Sequence, residues 1–67
     1  MPSGTIKWFN AAKGFGVIAQ DDGEPDLFCH ESALAAVAAP GREAGAKVSY
    51  EVVEEAIGPS ARAVVRR

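Results

Sequence analysis

Lys13-Gly14-Phe15-Gly16-Val17-Ile18 and Asp26-Leu27-Phe28-Cys29-His30 are two short apolar-rich runs joined through Asp21-Asp22-Gly23, and their reading decides the fold. Asp-Gly favours hairpin turns, so the two runs are predicted to be neighbouring strands. Strand side chains alternate between faces. Phe15 and Val17 therefore share one face of the first run, and Gly16 and Ile18 the other. In the second run Phe28 and His30 share a face, opposite Leu27 and Cys29. Ile18, Leu27 and Cys29 make an apolar core face, which turns Phe15, Phe28 and His30 outward. The inverted assignment would put the two phenylalanines inside and leave Ile18, Leu27 and Cys29 facing water.

The rest of the chain reads the same way. Gly4 to Asn10 is rich in Thr, Ile, Trp and Phe, which suit a pleated, half-buried surface. Lys47 to Val53 alternates, with Val48, Tyr50 and Val52 on one face that is expected to be core. Gly58-Pro59 punctuates, and Ala61 to Val65 is a fifth run. Between the third and fourth runs lies Ser32 to Gly41. Ser32 is placed to cap a short alanine-rich helical turn, and Pro40-Gly41 to stop it. Seven or so residues are too few for an independent helix. Five short strands in a chain of 67 residues point to an all-β closed barrel, which leaves no exposed sheet edge. One domain over 1–67 is expected, since a chain this short buries only about 60% of the surface its unfolded form exposes.

A two-domain enzyme with a deep cleft does not fit this length. The single cysteine, Cys29, excludes an internal disulfide and a cysteine-based zinc site. On a strand Cys29 and His30 point to opposite faces, so they form neither a nucleophile–base dyad nor a metal pair. Asp21, Asp22, Glu24 and Asp26 lack the spacing of an EF-hand loop. No catalytic constellation, cofactor, metal or small-molecule substrate is therefore expected. The first residues lack the apolar stretch of a signal peptide, and Ser32 to Gly41 is too short to span a bilayer. With a free thiol and no staples, the expected setting is the reducing cytoplasm. Arg66 and Arg67 read as a frayed tail.

Charge and aromatics are unevenly spread. The formal net charge is −2, which by itself argues against a nucleic-acid binder, whose usual footprint is basic. Residues 1–20 nevertheless carry Lys7 and Lys13 and no acid. Residues 21–31 carry Asp21, Asp22, Glu24, Asp26 and Glu31 and no base. Trp8, Phe9, Phe15 and Phe28 lie in the first 28 residues, and Tyr50 alone lies beyond. Outward phenylalanines with an imidazole and nearby lysines are what a stacking platform for bases requires, with π-faces for bases and cations for phosphates. Lys13-Gly14-Phe15-Gly16-Val17 also partly matches a nucleic-acid-binding signature. The RNA-recognition sheet that carries that signature has two packed helices for which this chain has no room. The small barrel remains.

Taken together, Gly4-Thr5-Ile6-Lys7-Trp8-Phe9-Asn10, Lys13 to Ile18, Asp26 to Ala33 and Gly58-Pro59-Ser60-Ala61 resemble a bacterial cold shock protein across essentially the whole chain. The resemblance implies a five-stranded antiparallel OB-type barrel with a short helical turn between strands 3 and 4. It implies binding of single-stranded RNA or DNA, and a role as an RNA chaperone or a regulator of transcription or translation. It places Lys7, Trp8, Lys13, Phe15, Asp26, Phe28 and His30 on the binding face, with Phe9 at its edge. Strict alternation cannot turn both Trp8 and Phe9 outward, so that strand calls for a bulge or a strong twist. A monomer with no membrane partner is expected.

The departures from the family pattern bear on affinity. The family usually has aromatics where this chain has Val17 and Glu31, and often another in the loop that here runs from Val37 to Ala46. A basic or polar residue and a Gln commonly flank the Gly-Pro pair, where this chain has Ile57 and Ser60. Each base–aromatic stack contributes about 1–3 kcal/mol, so a weaker or more selective binder is expected. Glu31 either repels phosphate or accepts a hydrogen bond from a base amino group. The alternative reading is a protein-interaction barrel that has kept the fold and lost most nucleic-acid affinity.

Overall fold

The computed structural model describes residues 2–37 and 42–67. Five strands run in chain order: β1 (Ser3–Asn10), β2 (Phe15–Gln20), β3 (Leu27–His30), β4 (Lys47–Glu55) and β5 (Gly58–Arg66). They close into a barrel in the order β1-β2-β3-β5-β4, with β4 returning to β1 through Ser3↔Ser49, Gly4↔Val48 and Thr5↔Lys47. The seam between β3 and β5 is parallel, at Phe28↔Ser60, while the other pairings are antiparallel. No helix among the described residues is long and apolar enough to cross a membrane.

The expected faces of β2 and β3 are the observed ones. Ile18, Leu27 and Cys29 are buried with Ile6, Leu34, Val37, Val48, Tyr50, Ala61 and Val64. Phe15 and Phe28 lie on the outer side. Tyr50 sits in the core as expected, its hydroxyl donating to the Ser3 carbonyl at 3.0 Å.

Other local expectations are corrected. Val52 is 47% exposed rather than core. β1 accompanies β4 only as far as Ser49, so beyond it β4 is paired on one side alone, by β5. Gly58-Pro59 does not separate elements but opens β5. The turn is Ala56-Ile57, and Gly58, at φ 125°, completes it. Proline is tolerated near the first residue of a strand. The turn after β3 is a 3₁₀ helix over Glu31–Leu34 capped by His30, not by Ser32. His30 is the last extended residue, so its imidazole reaches the Ser32 N–H at 3.1 Å. The expected stop at Pro40-Gly41 lies outside the described residues. The C-terminus is tied down rather than frayed. Arg66 pairs with Val48, the Arg67 N–H donates to the Lys47 carbonyl at 3.0 Å, and its guanidinium meets Asp21 at 3.1 Å.

The bulge expected in β1 is present. Ile6 pairs with Ile18 and Trp8 with Val17, which leaves Lys7 as the extra residue. One inserted residue shifts alternation by one position. Lys7 and Trp8 both become exposed, and Phe9 turns inward to pack on the core. The two strands approach closely here. A Cβ built on Gly16 would lie 2.5 Å from the Trp8 carbonyl oxygen and 2.9 Å from the Phe9 Cα. Backbone cannot yield as a flexible side-chain end can. Gly16→Ala is therefore expected to destabilise the barrel by about 1–3 kcal/mol, the usual range for overpacking. A urea titration with an unchanged midpoint would contradict this.

Candidate nucleic-acid interface

The register of β1, β2 and β3 sets out the outer face as two cross-strand rows. Trp8, Val17 and Phe28 form one row, and Asn10, Phe15 and His30 the next. Phe15 lies diagonally between Trp8 and Phe28. Its ring centroid is 5.6 Å from that of Trp8, at 70°, and 5.4 Å from that of Phe28, at 24°. Both distances fall within the range of favourable edge-to-face and offset-stacked pairs. Val17 sits between Trp8 and Phe28 in their row. Trp8 is the most open of the three rings, at 43% exposure.

Phe9 stands apart from these rings. It is half-buried on the inner side of β1, and the Arg42 guanidinium carbon lies 5.8 Å from its ring centroid. A shallow groove at this edge is lined by Trp8, Phe9, Ala11, Arg42, Glu43 and Ala44. Arg42 was not singled out from the sequence. It donates to the carbonyls of Val37 at 2.8 Å and Leu34 at 2.9 Å, so it closes the end of the 3₁₀ turn and covers Phe9. At the opposite edge Phe28, His30 and Ser60 adjoin a broad apolar groove of about 910 Å³ between the 3₁₀ turn, β5 and the Ala56-Ile57 turn. Ile57 is 68% exposed on its rim.

The charged groups divide into paired and unpaired. Lys7 Nζ and Asp26 Oδ2 form an exposed ion pair at 2.9 Å. Such a pair contributes roughly 0–1 kcal/mol, so a phosphate can compete for the lysine. Lys13 is exposed in the turn after β1, where its backbone N–H donates to Asn10 Oδ1 at 3.1 Å. Among the described residues no carboxylate lies within ion-pairing distance of its ammonium. His30 Nδ1 accepts the Ser32 N–H, so the neutral ring carries its proton on Nε2. That orients the imidazole and leaves an outward N–H donor on the face. Ser32 and Asn10 were also missed as members of the site, although Asn before a turn is a recognisable local signal.

Cys29 is 2% exposed and lies on the inner face, opposite His30. Burial pushes its thiol from 9.0 up to about 11, with the positive charge of Arg42 pulling weakly the other way. The thiolate is the reactive form, so this cysteine is chemically quiet. Burial likewise raises Tyr50, and the nearby Asp22 and Asp21 raise it further. A buried acid whose proton is held more tightly in the folded state stabilises the fold fully below its unfolded pKa and loses that contribution as pH rises. The contribution of these groups to stability is therefore expected to be level to about pH 9, with the cysteine part lost between there and about 11. In Cys29→Ala that loss disappears, and Tyr50 retains its own. Thermal melts across the alkaline range measure both, and an identical alkaline profile in the variant would refute the assignment.

Comparison with known proteins agrees with this geometry. Residues 2–67 match the family described as the "'Cold-shock' DNA-binding domain". The chain is 46% identical over 61 residues to cold shock protein ScoF of Streptomyces coelicolor, covering 91% of each. It is 45% identical over 64 residues to probable cold shock protein A of Mycolicibacterium smegmatis, covering 96% of each. It is 48% identical over 66 residues to cold shock protein CspA of Staphylococcus saprophyticus, covering 98% of each. A small barrel with an aromatic outer face defines a nucleic-acid-binding domain of the cold shock type. The chain belongs to the cold shock domain family. The alternative of a barrel that has lost nucleic-acid binding is not favoured by these matches.

Proposed function

We propose that this chain acts as one cold shock domain over 1–67, binding single-stranded RNA or DNA as a cytoplasmic monomer, and serving as an RNA chaperone or a regulator of transcription or translation. The observation that carries the reading is the cluster of Trp8, Phe15 and Phe28 on one outward face, with Phe15 in contact with both other rings. Aromatic rings left partly open to water on adjacent strands offer π-surface to any base, which gives binding with little sequence preference.

The remaining residues have distinct parts. Lys13 contacts phosphate directly. Lys7 does so by exchanging Asp26 for a phosphate, which frees the Asp26 carboxylate to accept a hydrogen bond from a base. The Nε2–H of His30 donates to a phosphate or base oxygen beside Phe15. Phe9 borders the strand's path at the Trp8 edge. The chemistry is binding alone: bonds to the nucleic acid are neither made nor broken, and no cofactor, metal or small-molecule substrate takes part.

Two cations on the face mean that electrostatics contributes modestly and stacking must carry more of the affinity. Titrating a pyrimidine-rich hexamer while following Trp8 fluorescence is the direct test. Saturable quenching is expected, and its absence at high oligonucleotide concentration would remove Trp8 from the face. Phe15→Ala and Phe28→Ala are each expected to weaken binding by about 1–3 kcal/mol, the range for a lost base stack. Their effects should not be additive, because the two rings touch. The log–log dependence of affinity on salt is expected to have a slope of about −0.7 to −1.4, for one or two phosphate contacts to a single strand. A flat salt response together with unchanged affinity in both phenylalanine variants would overturn the reading.

A further inference from the structure

Glu31, next to His30 in the chain, is an acid that the proposed binding does not use. Its backbone N–H donates to the Gly14 carbonyl at 2.9 Å, one step beyond the Phe15↔His30 pair. Its side chain folds across Gly14, which sits at φ +77°. A Cβ built on Gly14 would be 3.2 Å from both Cδ and Oε2 of Glu31. The carboxylate thus lies over Gly14 at the end of the aromatic face, one residue from Phe15 in the chain and next in sequence to His30.

Its charge is uncompensated where it stands. Asp26 is held by Lys7, Glu51 by Arg62 and Asp21 by Arg67. Among the described residues no cation lies within ion-pairing distance of Glu31, and no side-chain or backbone donor hydrogen-bonds to its carboxylate. Lys13, in the same turn as Gly14, does not reach it. An ionised carboxylate only accepts hydrogen bonds, and it does so on two oxygens side by side. It repels phosphate, which is also an acceptor, so the group it fits on a strand lying over Phe15 is a base edge rich in donors.

The four bases differ sharply on that criterion. Single strands leave their Watson–Crick edges free to be read. Guanine presents N1–H and N2–H next to each other, which match the two oxygens of a carboxylate in parallel. Cytosine and adenine each offer one amino donor beside an acceptor nitrogen. Uracil and thymine offer one N–H flanked by two carbonyl acceptors. We propose that Glu31 makes this face selective for guanine, accepting N1–H and N2–H of a guanine base seated beside Phe15. The proposal rests on the reading of the aromatic face as a single-strand binding surface. Glu31 acts on it as a specificity determinant rather than as a source of affinity for every sequence. Paired hydrogen bonds to a charged acceptor are the strong kind, but this one is open to water, which keeps the effect near the low end.

The test uses an all-thymidine hexamer and a set in which a single guanine replaces each thymine in turn. Wild-type protein is expected to bind one member of the set about tenfold more tightly than the all-thymidine strand, as a good two-bond base contact can provide. Inosine at that same position lacks the N2 amino group and should lose most of the gain. Glu31→Gln offers one acceptor and one donor in place of two acceptors. It should reduce the guanine preference to about twofold or less, while affinity for the all-thymidine strand stays the same or rises. Far-ultraviolet circular dichroism confirms that the exposed substitution leaves the barrel folded. Equal affinity of wild type for every strand overturns the proposal alone, as does a guanine preference that survives in Glu31→Gln. Failure of wild type to bind any of the strands overturns the binding reading as well.

Discussion

The close approach of β1 to β2 at Gly16 is the constraint on which the outer face depends. Where Phe9 crosses Gly16, the backbone of one strand fills the space that a side chain would occupy on the other. Just before this crossing, β1 takes in one extra residue at Lys7. Without the insertion, the strand that buries Ile6 would also bury Trp8 and turn Phe9 to water. With it, Lys7 and Trp8 face outward together and Phe9 becomes part of the wall of the core. Trp8 can then meet Phe15 edge-on, and Lys7 can meet Asp26 across the sheet. Packing and site are thus set by a single backbone irregularity, as bulges beside functional sites commonly do.

The net charge of −2 describes the molecule poorly at this face. Asp21 is occupied by Arg67 and by the Ser3 hydroxyl, Asp26 by Lys7 and Glu51 by Arg62. Asp22 accepts the Glu24 N–H within its own turn. Much of the acidic run from Asp21 onward is therefore engaged in tying the β2–β3 turn to the two chain ends and to β1. Among the described residues, Lys13 and Glu31 are left as opposite, unpaired charges at the Phe15 end. Exposed pairs of this kind contribute little to stability. Their importance lies in which charges they leave free for a ligand.

The parts of the fold that could be read from sequence are those where a face is buried on one side only. β2 and β3 alternate against a single core, so Ile18, Leu27 and Cys29 announce their side, and Phe15 and Phe28 theirs. The same rule fails for Val52, because alternation predicts a face but not whether anything covers it. Beyond Ser49, β4 has no β1 beside it. Arg42 was illegible for a different reason: its partners are the Leu34 and Val37 carbonyls and the Phe9 ring, contacts fixed only by the closed barrel. The capping role of His30 was hidden because Ser32 is the better local cap by type. The ring nitrogen prevails because the chain leaves β3 extended at His30, with ψ near 150°.

Val17, between Trp8 and Phe28 in their row, gives the face its particular character. A larger ring there would add stacking surface and hold Trp8, Phe15 and Phe28 apart by its own bulk. With valine, Phe15 rests on both Trp8 and Phe28 instead, at 5.6 and 5.4 Å between centroids. Those contacts restrict side-chain rotation before any base arrives, and ordering a mobile side chain on binding costs about 0.5–1.5 kcal/mol. A preorganised set of three rings therefore recovers part of what the missing fourth would contribute. It does so only for strands that accept the spacing already present, because Phe15 and Phe28 cannot both turn a full face outward while they lie against each other. On the proposed reading, a smaller, prearranged platform binds fewer bases and tolerates less variation in how they are placed. On such a platform a single polar group at its edge, such as the Glu31 carboxylate, has more influence over which base is held than it would on a broad aromatic sheet.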